Sequence, residues 1–477
     1  MRSFPWLSLI ALGLALTLSA TPAHATTVTV VMDRDQGDPL DNPLGMVVDG
    51  AGNLYVAASN SNNVLRRTPG GTVSVVLDAS GDGVHAMSAP IDLALAPDGT
   101  LYVMAALSRN VFKRPPNGSW TQILDAGGDG AGHPLDAPGA VVADGTGNAF
   151  VSDSGTDCVF RIASNGQVTV VIDASGDGAG HVLDGPSGLA VDGAGSLYVA
   201  GTDSDNVFQV TPGGAITEVL TSTVAVPLDA PVPVLVAADG TLYVGGFESK
   251  NLVRLPPGGP ATVLAEGYWV DSLAFAPNDL IYMGSWNDHA VIGARLGGGP
   301  TCTIVNESIA GTTLYPFRIP VLPDGSTYVG ADQGKKVVRV TGSACGPEPD
   351  VAGAWLMSVD APIYNISYTS QQTWTQTGFD VSVYDAVTND TYTGQLSDYA
   401  GSFGFYLKGQ AQICHPSFPA LCCTANYLSG TFEPDARRWS GAYITGTFLP
   451  SLICSGVPLD AVGSRCCLLY TSPSPRD

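Results

Sequence analysis

"PSGLAVDGAGSLYVAGTDSDNVFQVTPGGAITEVL", residues 186–220, is the stretch whose reading decides the fold. Four short runs rich in β-branched and aliphatic residues, "GLAV", "LYVA", "NVFQV" and "AITEVL", are parted by turn sequences, "DGAG", "GTDSD" and "TPGG". Hairpins joining four such strands give one small antiparallel sheet. Alone it would expose two edges and two apolar faces, so it has to pack against something like itself.

The chain supplies the copies. "PLGMVVDGAGNLYVAASNSNNVLRRTPGGTVSVVL" starts at Pro43, "PIDLALAPDGTLYVMAALSRNVFKRPPNGSWTQIL" at Pro90, "PGAVVADGTGNAFVSDSGTDCVFRIASNGQVTVVI" at Pro138 and "PVPVLVAADGTLYVGGFESKNLVRLPPGGPATVL" at Pro231. Weaker copies follow at Ser272 and Phe317. The proline spacings are 47, 48, 48 and 45 residues, the length of one propeller blade and not of a helical repeat. The copies therefore predict an all-β, seven-bladed propeller, with six blades as the alternative. The last copy lacks an outer strand, while "TTVTVVMD", residues 26–33, has the outer-strand pattern and no blade of its own. It is expected to complete the last blade and close the ring.

The pattern P-x-G-x-A-x-D-x-x-G-x-L-Y-V-A with an upstream "SGDG" loop resembles the NHL-repeat family of β-propellers over about residues 26–346. That resemblance implies the fold and little about activity, because the fold hosts lyases, lactonases and binding modules.

Both ends read differently. Met1–Arg2, an apolar run and "AHA" at residues 23–25 form a secretory signal, residues 1–25, which places the product outside the cytoplasm, secreted or periplasmic. At the other end "CLLYTSPSPRD", residues 467–477, matches one reading frame of a sequencing tagmentation adapter and is expected to be an artefact, with the natural C-terminus missing. After a linker at 347–350, residues 351–466 alternate polar and apolar positions between turns, as in a small antiparallel barrel or sandwich. The Gly353-Ala354-Trp355 opening resembles that of lipocalin-like barrels.

Composition restricts the partners. The 477 residues carry 43 acidic and 20 basic side chains, a net charge of −23, with 58 glycines and 34 prolines. Such a surface repels nucleic acid and anionic lipid, and no later stretch is apolar enough to span a membrane. A monomer is expected. Cysteine gathers after Cys302, which in an oxidising compartment suggests disulfides. Cys302 and Cys345 should meet on one face of the ring, Cys158 stands alone in a strand, and Cys414, Cys422, Cys423, Cys454 and Cys466 belong to the C-terminal part.

Three loops raise the question of metal. "DASGDGAGHVLD", residues 173–184, has calcium-loop spacing in Asp173, Ser175, Asp177 and Asp184. The other copies keep only parts of it, so the reading favoured is a glycine-dependent turn, with calcium as the possible cofactor. His85, His133 and His181 recur in these loops and would suit zinc only if loops of separate blades converged. The amidating lyases, related propellers, place histidines where this chain has Ile91, Gly139 and Ser187, so the match fails there. A less periodic feature is a sector of aromatics: Phe247, Trp286 and His289 in loops between second and third strands, and Tyr268, Trp269, Tyr315 and Phe317 near the starts of inner strands. They read as interface filling or as a stacking platform. Binding of a glycan, peptide, protein or small ligand leads; a propeller lyase or lactonase with a divalent metal, or an adhesive surface protein, is the alternative.

Overall fold

A computed structural model describes residues 26–342 apart from 300 and 332, and beyond them the backbone of eight strands between Gly353 and Tyr470. The expected signal at 1–25, Cys345 and the linker at 347–350 lie outside the described residues.

Residues 27–341 fold into seven four-stranded antiparallel sheets. Blade one spans Pro43–Leu77, blade two Pro90–Leu124, blade three Pro138–Ile172, blade four Pro186–Thr221, blade five Pro231–Glu266 and blade six Ser272–Asn306. Blade seven joins three strands from Leu314 to Thr341 with the N-terminal strand Thr27–Asp33, which pairs antiparallel with Lys336–Thr341. Seven blades, not six, close the ring, and the N-terminal strand closes it as its pattern implied.

The core lies between the blades. All five residues of the second strand Leu54–Ala58 are buried, whereas the outer strand Val73–Leu77 buries only its last. Side chains from adjacent blades share each cluster: Leu77 and Met87 meet Leu93, Val103 and Phe112. Closure uses the same chemistry, because Met32 of the N-terminal strand packs with Met46 and Val56 of blade one and Val337 of blade seven. Each fully buried side chain of this size contributes about 1.5–3 kcal/mol.

The loops between second and third strands, and those between an outer strand and the next inner strand, emerge at one end of the ring, here the upper face. The remaining hairpins form the lower face. At five upper corners the chain makes the same bond: Ser59, Ala106, Ser154, Thr202 and Phe247 donate their N–H to the carbonyls of Asn42, Ala89, Ala137, Gly185 and Ala230, each just before an inner-strand proline.

Blades six and seven break this rule. In blade six Ser272 pairs directly with Gly284, so Asp271 stands where other blades have proline, and the inner-strand bulge present in blade five between Pro231 and Val234 is absent. In blade seven the expected inner strand at Phe317 is not formed. Only Leu314–Tyr315 pairs, with Ala331 and Gly330, and pairing resumes at a single Val321–Thr327 bridge. Pro316 and Pro320 fall in the gap; neither has an N–H for the ladder.

The C-terminal region is one antiparallel sheet of eight strands in chain order, from Gly353–Ala361 to Leu468–Tyr470. Its last strand comes from the adapter-like stretch. No described helix is long and apolar enough to cross a membrane.

Candidate functional site

The three glycine-rich loops place their acids and histidines close together, and each loop uses them mainly within itself; Asp82 also accepts from the Gln122 N–H of the next outer strand at 3.0 Å. Asp173 accepts from the Ser175 N–H (2.9 Å) and hydroxyl (2.5 Å), and Asp177 from the Ala179 N–H (2.8 Å). His181 Nδ1 lies 2.6 Å from Asp177 Oδ2, His133 Nδ1 2.9 Å from Asp129 Oδ2, and His85 Nδ1 3.0 Å from Asp82 Oδ2. Each histidine Nδ1 thus serves its own loop, while His181 Nε2 also lies 3.7 Å from Glu218 Oε2 on the outer strand of blade four. Gly176, at φ +61°, has no room for a Cβ against the His181 carbonyl, so the turn itself demands glycine. The His181 hydrogen bond holds the Asp177 carboxyl low, while Asp177 and then Glu218 raise the His181 imidazole. Asp184 sits apart from Asp173 and Asp177. Its carboxyl is raised first by the charge of Asp157, then by burial and by Asp203. Among the described residues no three His, Cys, Asp or Glu side chains form a metal cluster.

A different constellation occupies the mouth of blades six and seven. Trp286 follows the second strand of blade six, where blades one to five send an N–H to a backbone carbonyl. Its N–H goes instead to Asp271 Oδ2 at 2.7 Å. Burial pushes the Asp271 carboxyl up to about 6; the Trp286 N–H pulls against this, and nearby Asp288 adds to it. Trp286 is 47% exposed. It meets Tyr315 edge to face, with centroids 6.2 Å apart, and His289 meets the same tyrosine at 5.5 Å. His289 Nδ1 lies 2.8 Å from the Leu314 carbonyl, to which it donates, and Asp288 accepts from Ser285 Oγ at 2.6 Å. An exposed indole, two supporting rings and a carboxyl poised near neutrality therefore share one corner.

The other expected aromatics divide. Tyr268 turns into the interface of blades five and six, packing near Tyr243 and Val270 and lying 3.0 Å from the Thr301 hydroxyl. Lys250 Nζ sits 3.6 Å from the centre of the Trp269 ring, a cation–π contact. Phe247 and Phe317 are half-buried on the upper side, outside the Trp286–Tyr315–His289 group. Cys158 is free and fully buried, its thiol pushed by burial to about 11. Cys302 opens the outer strand of blade six.

One pair escaped the sequence reading. Where blade seven leaves its ladder, Arg318 reaches back to the inner strand of blade two. Its Nε and Nη2 donate to Asp92 Oδ1 and Oδ2 at 3.1 and 2.9 Å. Asp92, with a side chain 3% exposed, also accepts from the Val141 N–H at 2.9 Å. A bidentate bond thus ties blades seven, two and three across the closure. The partners are 226 residues apart, so neither position signals the other. The available signal was that each breaks the apolar or small-residue pattern of the inner strands.

Comparison with known proteins gives a fold and no family. No protein-family model and no curated sequence matches the chain. Among solved structures, a streptogramin B lyase superposes with a TM-score of 0.54 at 13% identity, covering 66% of this chain and 97% of that one. Virginiamycin B lyase from Staphylococcus aureus superposes with a TM-score of 0.53 at 13% identity, covering 66% and 99%. At this identity the likeness shows the seven-bladed architecture alone.

Proposed function

We propose that this is an exported ligand-binding propeller, kin to the NHL-repeat proteins, whose upper face at blades six and seven holds the ligand. The observation that carries the reading is the Trp286–Tyr315–His289 group beside Asp271. A large indole left half in water, where most of the described aromatics are buried, has apolar area to offer a partner. Tyr315 meets it edge to face and is itself braced by His289, so it is presented with little freedom to lose on binding.

The test is an array of glycans and peptides probed with the purified protein and with Trp286→Ala. Binding by the parent, reduced at least about tenfold in the variant, supports the reading. Ligands retained equally by both would refute it.

A propeller lyase is the second reading, favoured by one observation. A carboxyl raised to about 6 by burial suits proton transfer near neutral pH. In that role Asp271 would take and return a proton while the aromatics held the substrate. A metal-dependent lactonase would need a ligand set that the described residues do not bring together. Calcium at Asp173, Ser175, Asp177 and Asp184 would have to compete with the hydrogen bonds that Asp173 and Asp177 already accept, one of them donated by the Ser175 hydroxyl itself.

A further inference from the structure

The exposed apolar side chains are not scattered over the ring. Val84, Leu107, Val182, Val224, Trp286 and Ile309 all stand on upper-face loops or on the short helix Glu307–Ala310 that follows the outer strand of blade six. Val84 is 83% exposed, Leu107 77% and Val224 fully so. The other large exposed apolar residues, Val30 and Val75, lie on outer strands, and among the described residues none stands on a lower-face turn. Loop residues in a turn of this kind have no packing reason to be valine or leucine, because none of the described residues covers them.

Charge is divided between the same two faces. Basic side chains concentrate in the lower halves of the third strands, at Arg66, Lys113, Arg161, Arg254, Arg295 and Arg339, across from the aspartates of the lower hairpins. Arg339 pairs with Asp324 at 2.9 Å, for example, so the lower face is close to neutral. The upper loops carry carboxylates in every blade, against Arg34, Arg109, Lys250, Lys335 and Lys336. Arg34 pairs with Asp41, Arg109 with Asp136, and Lys250 lies over the Trp269 ring. The excess negative charge of the propeller is therefore an upper-face property, and where acids crowd, as at Asp184, the neighbouring charges of Asp157 and Asp203 help raise its carboxyl.

We propose that the upper face docks a basic polypeptide segment whose lysines or arginines alternate with apolar residues. The proposal rests on the reading that this face binds, and narrows its ligand to a class. Charge complementarity selects the occupant. A neutral glycan leaves the carboxylates uncompensated, and an anionic surface is repelled. A basic amphipathic segment satisfies both the acids and the valines and leucines between them. Asp271, which holds the Trp286 backbone N–H, and Asp288, two residues on from Trp286, form the corner where one cationic side chain of the segment gains a counter-charge and an aromatic face together.

The experiment uses three labelled synthetic peptides of equal length, one of Lys and Leu, one of Lys and Ser and one of Glu and Leu, with fluorescence anisotropy as readout. The proposal expects the Lys/Leu peptide to bind most tightly, the Lys/Ser peptide more weakly with its binding abolished by salt, and the Glu/Leu peptide not at all. Replacing Leu107, Val182 and Val224 together by serine, all exposed and free of core contacts, is expected to weaken the Lys/Leu peptide by about tenfold or more. Equal binding of the Lys/Leu and Glu/Leu peptides, an unaffected triple variant, or equal affinity for vesicles of phosphatidylcholine would overturn it. Failure here is separable from failure of the binding reading. If no peptide binds but an array ligand is lost in Trp286→Ala, the basic partner falls and the aromatic site stands. If the Lys/Leu peptide binds independently of Trp286, the reverse holds.

Discussion

Replacing Asp271 by asparagine is expected to make the protein more stable near pH 7, the opposite of what most substitutions of a buried, hydrogen-bonded residue do. In the folded chain the carboxyl titrates at about 6, above its ordinary 3.8, because burial penalises its charge more than the Trp286 N–H repays it. Between these values the folded protein holds a proton that the unfolded chain has lost. Stability is therefore full below about pH 4, falls as pH rises to about 6, and stays low above it. The gap of roughly two pKa values, at about 1.36 kcal/mol each, amounts to about 3 kcal/mol. Asparagine carries no charge to penalise and keeps an oxygen for the Trp286 N–H. For a propeller of about 320 residues, with an unfolding entropy near 2.1 cal/mol/K per residue, this is a rise in Tm of about 4 °C. Calorimetry of parent and variant near pH 7 and near pH 4 is the assay. The gain should appear at the higher pH and vanish at the lower. A variant less stable near pH 7, or one equally stabilised at both, would refute the reasoning.

Other consequences are as direct. Arg318→Met leaves Asp92 charged and nearly buried with one remaining donor, and should cost about 3 kcal/mol; urea denaturation would show it, and Asp92→Asn added to it should recover most of the loss. His181 is expected to titrate above its ordinary 6.5 in an NMR titration and to move back in Asp177→Asn, since the Asp177 bond is the main cause of its rise. Cys158, buried and raised to about 11, should resist thiol reagents in the native protein and react only as the ring unfolds.

Much of the architecture was legible because a repeat states its own periodicity. The prolines, the "LYV" strands and the orphan strand at 26–33 fixed the blades, their order and the closure without any tertiary information. The same repetition hid what matters chemically. Asp271 and Arg318 lie in the two copies where the pattern fades, so a search for similarity passes over them. Trp286 and Tyr315 were visible as aromatics, but that they touch, while Tyr268 turns inward to Thr301, depends on packing between blades. The loop at 173–184 shows the converse. Its calcium-like spacing is read equally well by a turn, because carboxylates two and four residues before an N–H serve either purpose.

The most direct test of the central claim is a hydrogen-exchange footprint of the intact protein with its best array ligand. Protection should fall on the upper loops of blades six and seven, around residues 268–271, 286–289 and 314–318, leaving the lower hairpins unchanged. Protection confined to the lower face or to the outer strands would contradict it.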